Sequence, residues 1–436
     1  MSQAQPATRP AATAQRSGAS TIAVTEQSAP ADAAAPVPRR RETPQLLRSL
    51  TSALIGIGLL FGLTGVLSFA GFALALNRAE DQAAQLIRVQ QIQTNLLSAD
   101  ANATNAFLVG GLEPPGQRAR YDDAIAATGR LVSQAADAQP ADAAALSALN
   151  QSVLDYAVTI EQARANNRQG FPVGAQYLRN ASGDLRGTAL PILRNLVEAN
   201  SSRARDAMSS LLWLVFPIVG LLALAATTAA MIWVALRFRR KINPGLVAAV
   251  AVLLVFWVVG LVVLIQTASQ VRDLRDGAFS SVTSTASVRI EANNAKSNES
   301  LTLIARGSGA SFEQAWAASA QVVDQQLGRP PVSDLRLPWT EYRATHQEIR
   351  RLDNGGSWDA AVKLATGSGD KSSNATFLRF DQASRNLLDT ASNTTSAGLA
   401  DRQPLLVVLA VLTFLAGLAA ALLSRAGVAT RLKEYR

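Results

Sequence analysis

Four stretches of this chain contain no charged residue: Leu50–Asn77, Ala207–Leu236, Ile242–Val271 and Gln403–Ser424. A helix rises about 1.5 Å per residue, so about 20 apolar residues cross a bilayer. All four stretches qualify, with apolar cores at Leu54–Leu76, Leu211–Val234, Leu246–Ile265 and Leu405–Leu423. Composition agrees. Only 17% of the 436 residues are charged and the mean hydropathy is +0.13, whereas soluble domains carry about 25% charged residues. The first span starts too late and runs too long for a cleaved signal peptide. None of the four spans holds an ionisable group at mid-membrane, which argues against ion-coupled transport. Pro217 and the glycines Gly58, Gly62 and Gly65 predict a kink or a close helix contact.

The basic residues set the orientation. Arg39, Arg40, Arg41 and Arg48 precede the first span; Arg237, Arg239, Arg240 and Lys241 fill the turn between the second and third; Arg425, Arg431, Lys433 and Arg436 follow the fourth. These segments share one side, and the positive-inside rule makes it the cytoplasm of a multi-pass plasma-membrane protein with both termini inside. The net charge of +9 is thereby assigned to membrane topology rather than to nucleic acid. The expected organisation is a low-complexity basic tail (1–48), spans at 49–77, 209–236, 245–267 and 403–424, outside bundles at 78–208 and 268–402, a cytoplasmic turn at 237–244 and a cytoplasmic tail at 425–436. The N-terminal tail lacks the large apolar residues a core needs, so disorder is expected. Its arginines would be drawn to anionic membrane lipid, and its Thr8, Thr13, Thr21, Thr25 and Thr43 are accessible kinase-substrate candidates.

Each outside segment reads as four helices, near 78–109, 117–137, 141–167 and 173–208, then near 270–306, 310–327, 336–352 and 357–402. The last of these is interrupted around Gly367–Gly369. Breaks fall at GGLEPPG, NNRQGFPVG, GRPPVSD and DNGGSWD. The first helix of each set continues out of a span and the fourth is expected to run into the next. The fold class predicted is an all-α membrane protein: four transmembrane helices and two tandem extracytoplasmic four-helix bundles. The two halves look like copies. YDDAIAATGRLVSQ at Tyr121 aligns with FEQAWAASAQVVDQ at Phe312. Tyr156, Gly170 and Leu178 match Tyr342, Gly356 and Leu364, SGD recurs at Ser182 and Ser368, and RNLVE at Arg194 matches RNLLD at Arg385.

Little here points to catalysis or a cofactor. Cysteine is absent and His346 is the lone histidine, which removes thiolate sites and His-based metal clusters and disfavours a Ser-His-Asp triad. No P-loop, dinucleotide-binding or nucleophile-elbow motif occurs, and Asp122 and Asp123 are adjacent, so they point to different helix faces. His346, in EYRATHQEIRR, is expected on the surface of a helix, with pH sensing as the alternative. The Asn-rich stretches bearing Asn95, Asn102, Asn293 and Asn298 read first as solvated faces, with a polar register seam or a ligand pocket as the sharper reading. Arg194 and Arg385 are surface or snorkelling residues, or a carboxylate clamp. The sequons at Asn102 and Asn374 carry little weight in so Asn/Ser/Thr-rich a chain. Arg239, Arg240, Lys241, Arg431, Lys433, Glu434, Tyr435 and Arg436 are candidates for a cytoplasmic partner surface, or topogenic charges alone.

The paired span–bundle–span layout, the basic N terminus, RFRRKINPGL at Arg237 and RLKEYR at Arg431 together resemble the GlnX family of actinobacterial membrane proteins. These are encoded beside the lipoprotein GlnH and the soluble protein kinase G. The resemblance implies a non-catalytic transducer whose partners are an extracytoplasmic solute-binding lipoprotein, sensing amino acids, and a cytosolic Ser/Thr protein kinase. It carries no functional residue over. The bundles are also similar to the sensor modules of chemoreceptors and histidine kinases, without the HAMP or kinase segments that follow in those proteins, so the output is expected to act through a separate protein. Direct small-molecule sensing and an envelope scaffold are the rival readings. A homodimer is compatible with all of them.

Overall fold

The computed structural model describes residues 43–110, 113–170, 172–209, 212–238 and 243–432, and among these it holds helices and turns but no strand. Most of the cytoplasmic candidates (Arg239, Arg240, Lys241, Lys433, Glu434, Tyr435 and Arg436) and most of the N-terminal tail lie outside the described residues. Arg431 falls in the last turn of the final helix.

Helix α1 (Thr43–Val109) runs unbroken for 67 residues, about 100 Å of rod. Nothing stops it, because no proline occurs between Gln45 and Val109. Helices α2 (Pro115–Ala138), α3 (Ala143–Arg168), α4 (Val173–Asp184) and α5 (Leu190–Met208) complete bundle one with the distal half of α1. Then α6 (Val215–Phe238) and α7 (Pro244–Leu274) form an apolar hairpin. Asn243 caps α7, accepting from the Leu246 amide at 3.5 Å. Bundle two follows: α8 (Ser280–Ile304), α9 (Ala310–Leu327), α10 (Arg336–Asn354), α11 (Trp358–Thr366) and α12 (Ser373–Ala400), before the final apolar helix α13 (Gln403–Leu432).

Among the described residues, four helical segments are long and apolar enough to cross a membrane: Gln45–Val109, Val215–Arg237, Pro244–Ile304 and Ser373–Thr430. Leu60, Leu67, Leu222, Val255 and Val411 are each more than half exposed. So broad an apolar surface around one end of the molecule calls for lipid. Inside, Phe216 of α6 fills the space between Phe61 and Phe69 of α1, at ring distances of 5.3 and 5.1 Å. The expected close contact is found: a methyl group on Gly58 would lie 2.7 Å from the Gly417 carbonyl, so α1 and α13 cross backbone to backbone. Pro217 lies in the first turn of α6, where its missing N–H requires no kink. The Trp257 indole donates to its carbonyl at 3.0 Å.

The helices entering and leaving the bundles differ. α1 passes straight from span to bundle, and α7 joins α8 through one π turn, Arg275–Phe279, without losing its helical course. The first exit is jointed: between α5 and α6 lies a 3₁₀ turn, Leu212–Leu214. The second is not. Asp401 keeps helical backbone angles and Ser373–Thr430 runs as one helix, with Pro404 only omitting one donor from the ladder. The expectation that the fourth helix runs into its span is corrected for bundle one alone.

Each bundle has its own core. Val89, Ile92, Leu96, Leu149, Ile160 and Leu193 anchor the first; Val288, Trp316, Val323, Trp339, Tyr342 and Phe380 anchor the second. Two pairs of the matched positions share local structure. Tyr156 and Tyr342 are both fully buried. Gly170 and Gly356 both turn the chain with left-handed backbones, φ +73° and +78°, just beyond α3 and α10. The SGD pair does not correspond. Ser182–Asp184 is helical at the end of α4, whereas Ser368–Asp370 is the turn between α11 and α12.

Candidate functional site

The bundles stand back to back on α1 and α8. Their seam includes an apolar patch of Ile87, Val282, Ala286, Leu388 and Ala391 and, further from the spans, two polar clusters. α8 is polar on nearly every face yet buried along most of its length. Small side chains (Ser281, Ala286, Ala292, Ala295, Ser297, Ser300) let neighbours approach it from all sides.

Asp100 of α1 is wholly buried at the centre of the first cluster. One carboxylate oxygen accepts from Ser182 at 2.5 Å and from the Tyr156 hydroxyl at 3.4 Å. The other accepts from Arg186 at 2.9 Å and from Ser297 of α8 at 2.6 Å. Arg186 also donates to Ser297 at 2.9 Å, so a single triad ties bundle one to bundle two. Arg186 sits in a π turn, Leu185–Ala189, where the Leu190 amide bonds back to the Leu185 carbonyl. Pro191, unable to donate, displaces the ladder there and re-aims the arginine. Asp100→Asn removes the charge from this buried acceptor and is expected to cost about 1–3 kcal/mol. The check is thermal unfolding, together with faster hydrogen exchange confined to the α1–α8 seam.

The second cluster centres on Asn105. Its amide donates to the Ala365 carbonyl at 3.3 Å and to Ser300 at 3.5 Å. Its oxygen accepts from Gln117 at 2.6 Å and Asn374 at 2.9 Å. Five helices (α1, α2, α8, α11 and α12) meet on this one side chain.

A third cluster lies inside bundle two. Lys296 and Glu299 of α8 are buried and paired at 2.8 Å, and both bond Ser373 of α12 at 2.6 Å. His346 of α10 bridges Glu299 at 3.0 Å and Glu313 of α9 at 3.2 Å. Arg350 closes on Glu313 at 3.3 Å. The imidazole stacks on Trp316 at 3.6 Å, whose indole donates to the Tyr342 hydroxyl. His346 is 1% exposed, so the expected surface position is corrected. Burial pushes its pKa down, but the two carboxylates outweigh that and the net shift is upward. Burial likewise pushes Glu299 up, and Lys296 and His346 overcome it, bringing Glu299 down to about 2. Lys296 is shifted downward by burial, opposed by Glu299.

The candidates read from sequence are dispersed. Asn293 and Asn298 are buried in α8, donating to the Arg289 and Asn294 carbonyls at 2.8 and 2.9 Å. Asn102 is half-buried, bonding the Ser98 carbonyl at 2.7 Å and accepting from Arg120 at 3.0 Å. Asn95 is half-buried. Arg194 is exposed, and Arg385 is exposed and paired with Asp381 at 2.9 Å. The solvated-face reading thus gives way to burial for Asn293 and Asn298, and Arg194 and Arg385 lie on separate bundles, on α5 and α12. The charged groups of the seam and of bundle two were missed.

A cavity of 240 Å³ opens at the far end of bundle one. Its floor is apolar: Ala103, Ala106, Phe107, Ile160, Ala163 and Leu178. Its rim carries Glu113, Arg118, Arg164, Asn167 and Arg168. Arg164 covers the Tyr121 ring at 4.0 Å and bonds Glu113 at 3.0 Å. At the far end of bundle two, a wider cleft of 900 Å³ lies beside Arg350 and Trp358.

Neither a curated protein nor a solved structure matches the chain. Residues 75–209, which carry bundle one from the base of α1 to the end of α5, match the family model of an actinobacterial sensor domain, and this supports an actinobacterial sensor protein.

Proposed function

We propose that the chain is a non-catalytic transmembrane transducer, with its bundles outside the membrane and both termini in the cytoplasm. A solute-loaded lipoprotein that senses amino acids docks on the bundles, and a cytosolic Ser/Thr kinase reads the cytoplasmic ends. The observation that carries this reading is the pair of uninterrupted rods, α1 and α7–α8, running from apolar spans into a shared polar seam. A docking partner that prefers one seam arrangement shifts both rods together. A coupling of about 1–3 kcal/mol changes output 5- to 150-fold. The residues proposed to meet the kinase and anionic lipid are the basic ones in the sequence of the cytoplasmic turn and tail, Arg239, Arg240, Lys241, Arg431, Lys433 and Arg436, with Glu434 and Tyr435 of the same tail segment.

Capture of the full-length protein from native membranes in mild detergent, followed by mass spectrometry, tests the partners. Recovery of a solute-binding lipoprotein that depends on added amino acids, together with a cytosolic kinase, is expected. Recovery of neither, or of a lipoprotein equally with and without amino acids, contradicts the relay.

A further inference from the structure

We propose that the cavity at the far end of bundle one binds a small carboxylate bearing an apolar group. The walls dictate that chemistry. Six apolar side chains form the floor, and 240 Å³ holds about eight water volumes of 30 Å³, enough for a short hydrocarbon chain. The rim supplies three guanidinium groups against one carboxylate, Glu113. Two of the three are engaged: Arg164 with Glu113 and Glu161, and Arg118 with Asp122 and Glu161. Arg168, exposed in the last turn of α3, has no acidic partner among the described residues. An incoming carboxylate therefore meets Arg168 at the mouth while its hydrocarbon replaces water over Ile160 and Leu178.

Comparison of the two copies isolates the site. Counting from the matched tyrosines Tyr156 and Tyr342, Ile160 of the cavity floor corresponds to His346, and Arg164 to Arg350. In bundle two the ring at this position stacks on Trp316 and is held by Glu299 and Glu313. In bundle two the imidazole occupies the position that Ile160 lines in bundle one, and the cleft beside Arg350 is walled by Thr302, Arg306, Asp353 and Asn354 instead of by the apolar floor of the first copy. This division suits one copy that takes a ligand and one that supports it.

Full-length protein in nanodiscs, titrated by calorimetry with three probes of one shape, tests the site: 4-methylpentanoate, L-leucine and 4-methylpentanamide. Saturable binding of one or both acids is expected, with the amide about tenfold weaker or worse. Tighter binding of L-leucine than of 4-methylpentanoate assigns the ligand to the α-amino acids, with Glu113 receiving the ammonium; the reverse order assigns it to simple carboxylates. Arg168→Gln, at an exposed position that leaves the core intact, weakens acid binding about tenfold, and Arg168→Lys recovers most of it. Arg130→Gln, an exposed control on α2 away from the cavity lining, leaves binding unchanged. Ala106→Leu, which fills the floor, abolishes it. An amide as tight as the acids, an Arg168→Gln variant with wild-type affinity, or no saturable binding of any probe overturns the proposal. None of these outcomes depends on the lipoprotein or kinase.

Discussion

Lys296→Met is expected to destabilise the protein by about 3–5 kcal/mol, because it strands Glu299 in a site with no exposed surface. The double variant Lys296→Met/Glu299→Leu should recover only part of that loss, since it removes both buried charges but leaves Ser373 and His346 without the carboxylate that they bond. Thermal unfolding in nanodiscs reads both. A single-variant loss under about 1 kcal/mol, the scale of exposed pairs, would mean that water reaches the cluster. The same groups set a pH dependence with two opposite signs. His346 is raised, so its contribution is complete below its unfolded pKa of about 6.5 and is lost as pH rises through the folded value. Glu299 is lowered to about 2, so its contribution is complete above about 4.5 and is lost as pH falls through the folded value. The stability that His346 contributes should therefore be lost as pH rises above about 6.5 in the wild type, and His346→Phe should flatten that part of the curve. Identical pH dependence of wild type and His346→Phe would contradict the assignment.

The second large effect is expected in the membrane. Gly417→Leu places a branched side chain where even a methyl group would meet the Gly62 backbone 2.7–2.8 Å away. The α1–α13 crossing must then open, at a cost of about 1–3 kcal/mol. Gly56→Leu, on the same face of the problem but with nothing within 4 Å of its Cβ, should be close to neutral. Equal effects from the two would show that helix propensity, not the crossing, governs this region.

The helices were legible in the sequence because their punctuation is. GGLEPPG, NNRQGFPVG and GRPPVSD stop helices for local reasons, and the boundaries fall within a few residues of expectation. The apolar spans were legible for the same reason, since lipid leaves few solutions. The jointed exit from bundle one was not, because Leu212–Leu214 lies inside an uncharged run whose composition masks the break. The seam was hidden more deeply. A helix of Ser, Ala, Asn, Lys and Glu reads the same whether water or a neighbouring helix surrounds it, and only tertiary packing decides. His346 did carry a signal. Trp339, Tyr342, His346 and Ile349 follow one helical stripe, and all four are buried. The lone histidine belonged to that stripe rather than to the charged face around it. Asp100 and Arg186 had no comparable signal, because an arginine re-aimed by a π turn cannot be read from spacing.

In the proposed relay, events at the bundles move the opposite ends of the rods. The chain has no cysteine, so Ser49→Cys and Thr430→Cys, both at exposed positions near the inner ends of α1 and α13, accept spin labels uniquely. Pulsed electron resonance would give the distance between them in nanodiscs, before and after addition of the solute-loaded protein captured from native membranes. A shifted or redistributed distance, reversed when the solute is withdrawn, is the predicted result. An unchanged distribution with the partner demonstrably bound would contradict transmission through the rods and leave a scaffold in its place.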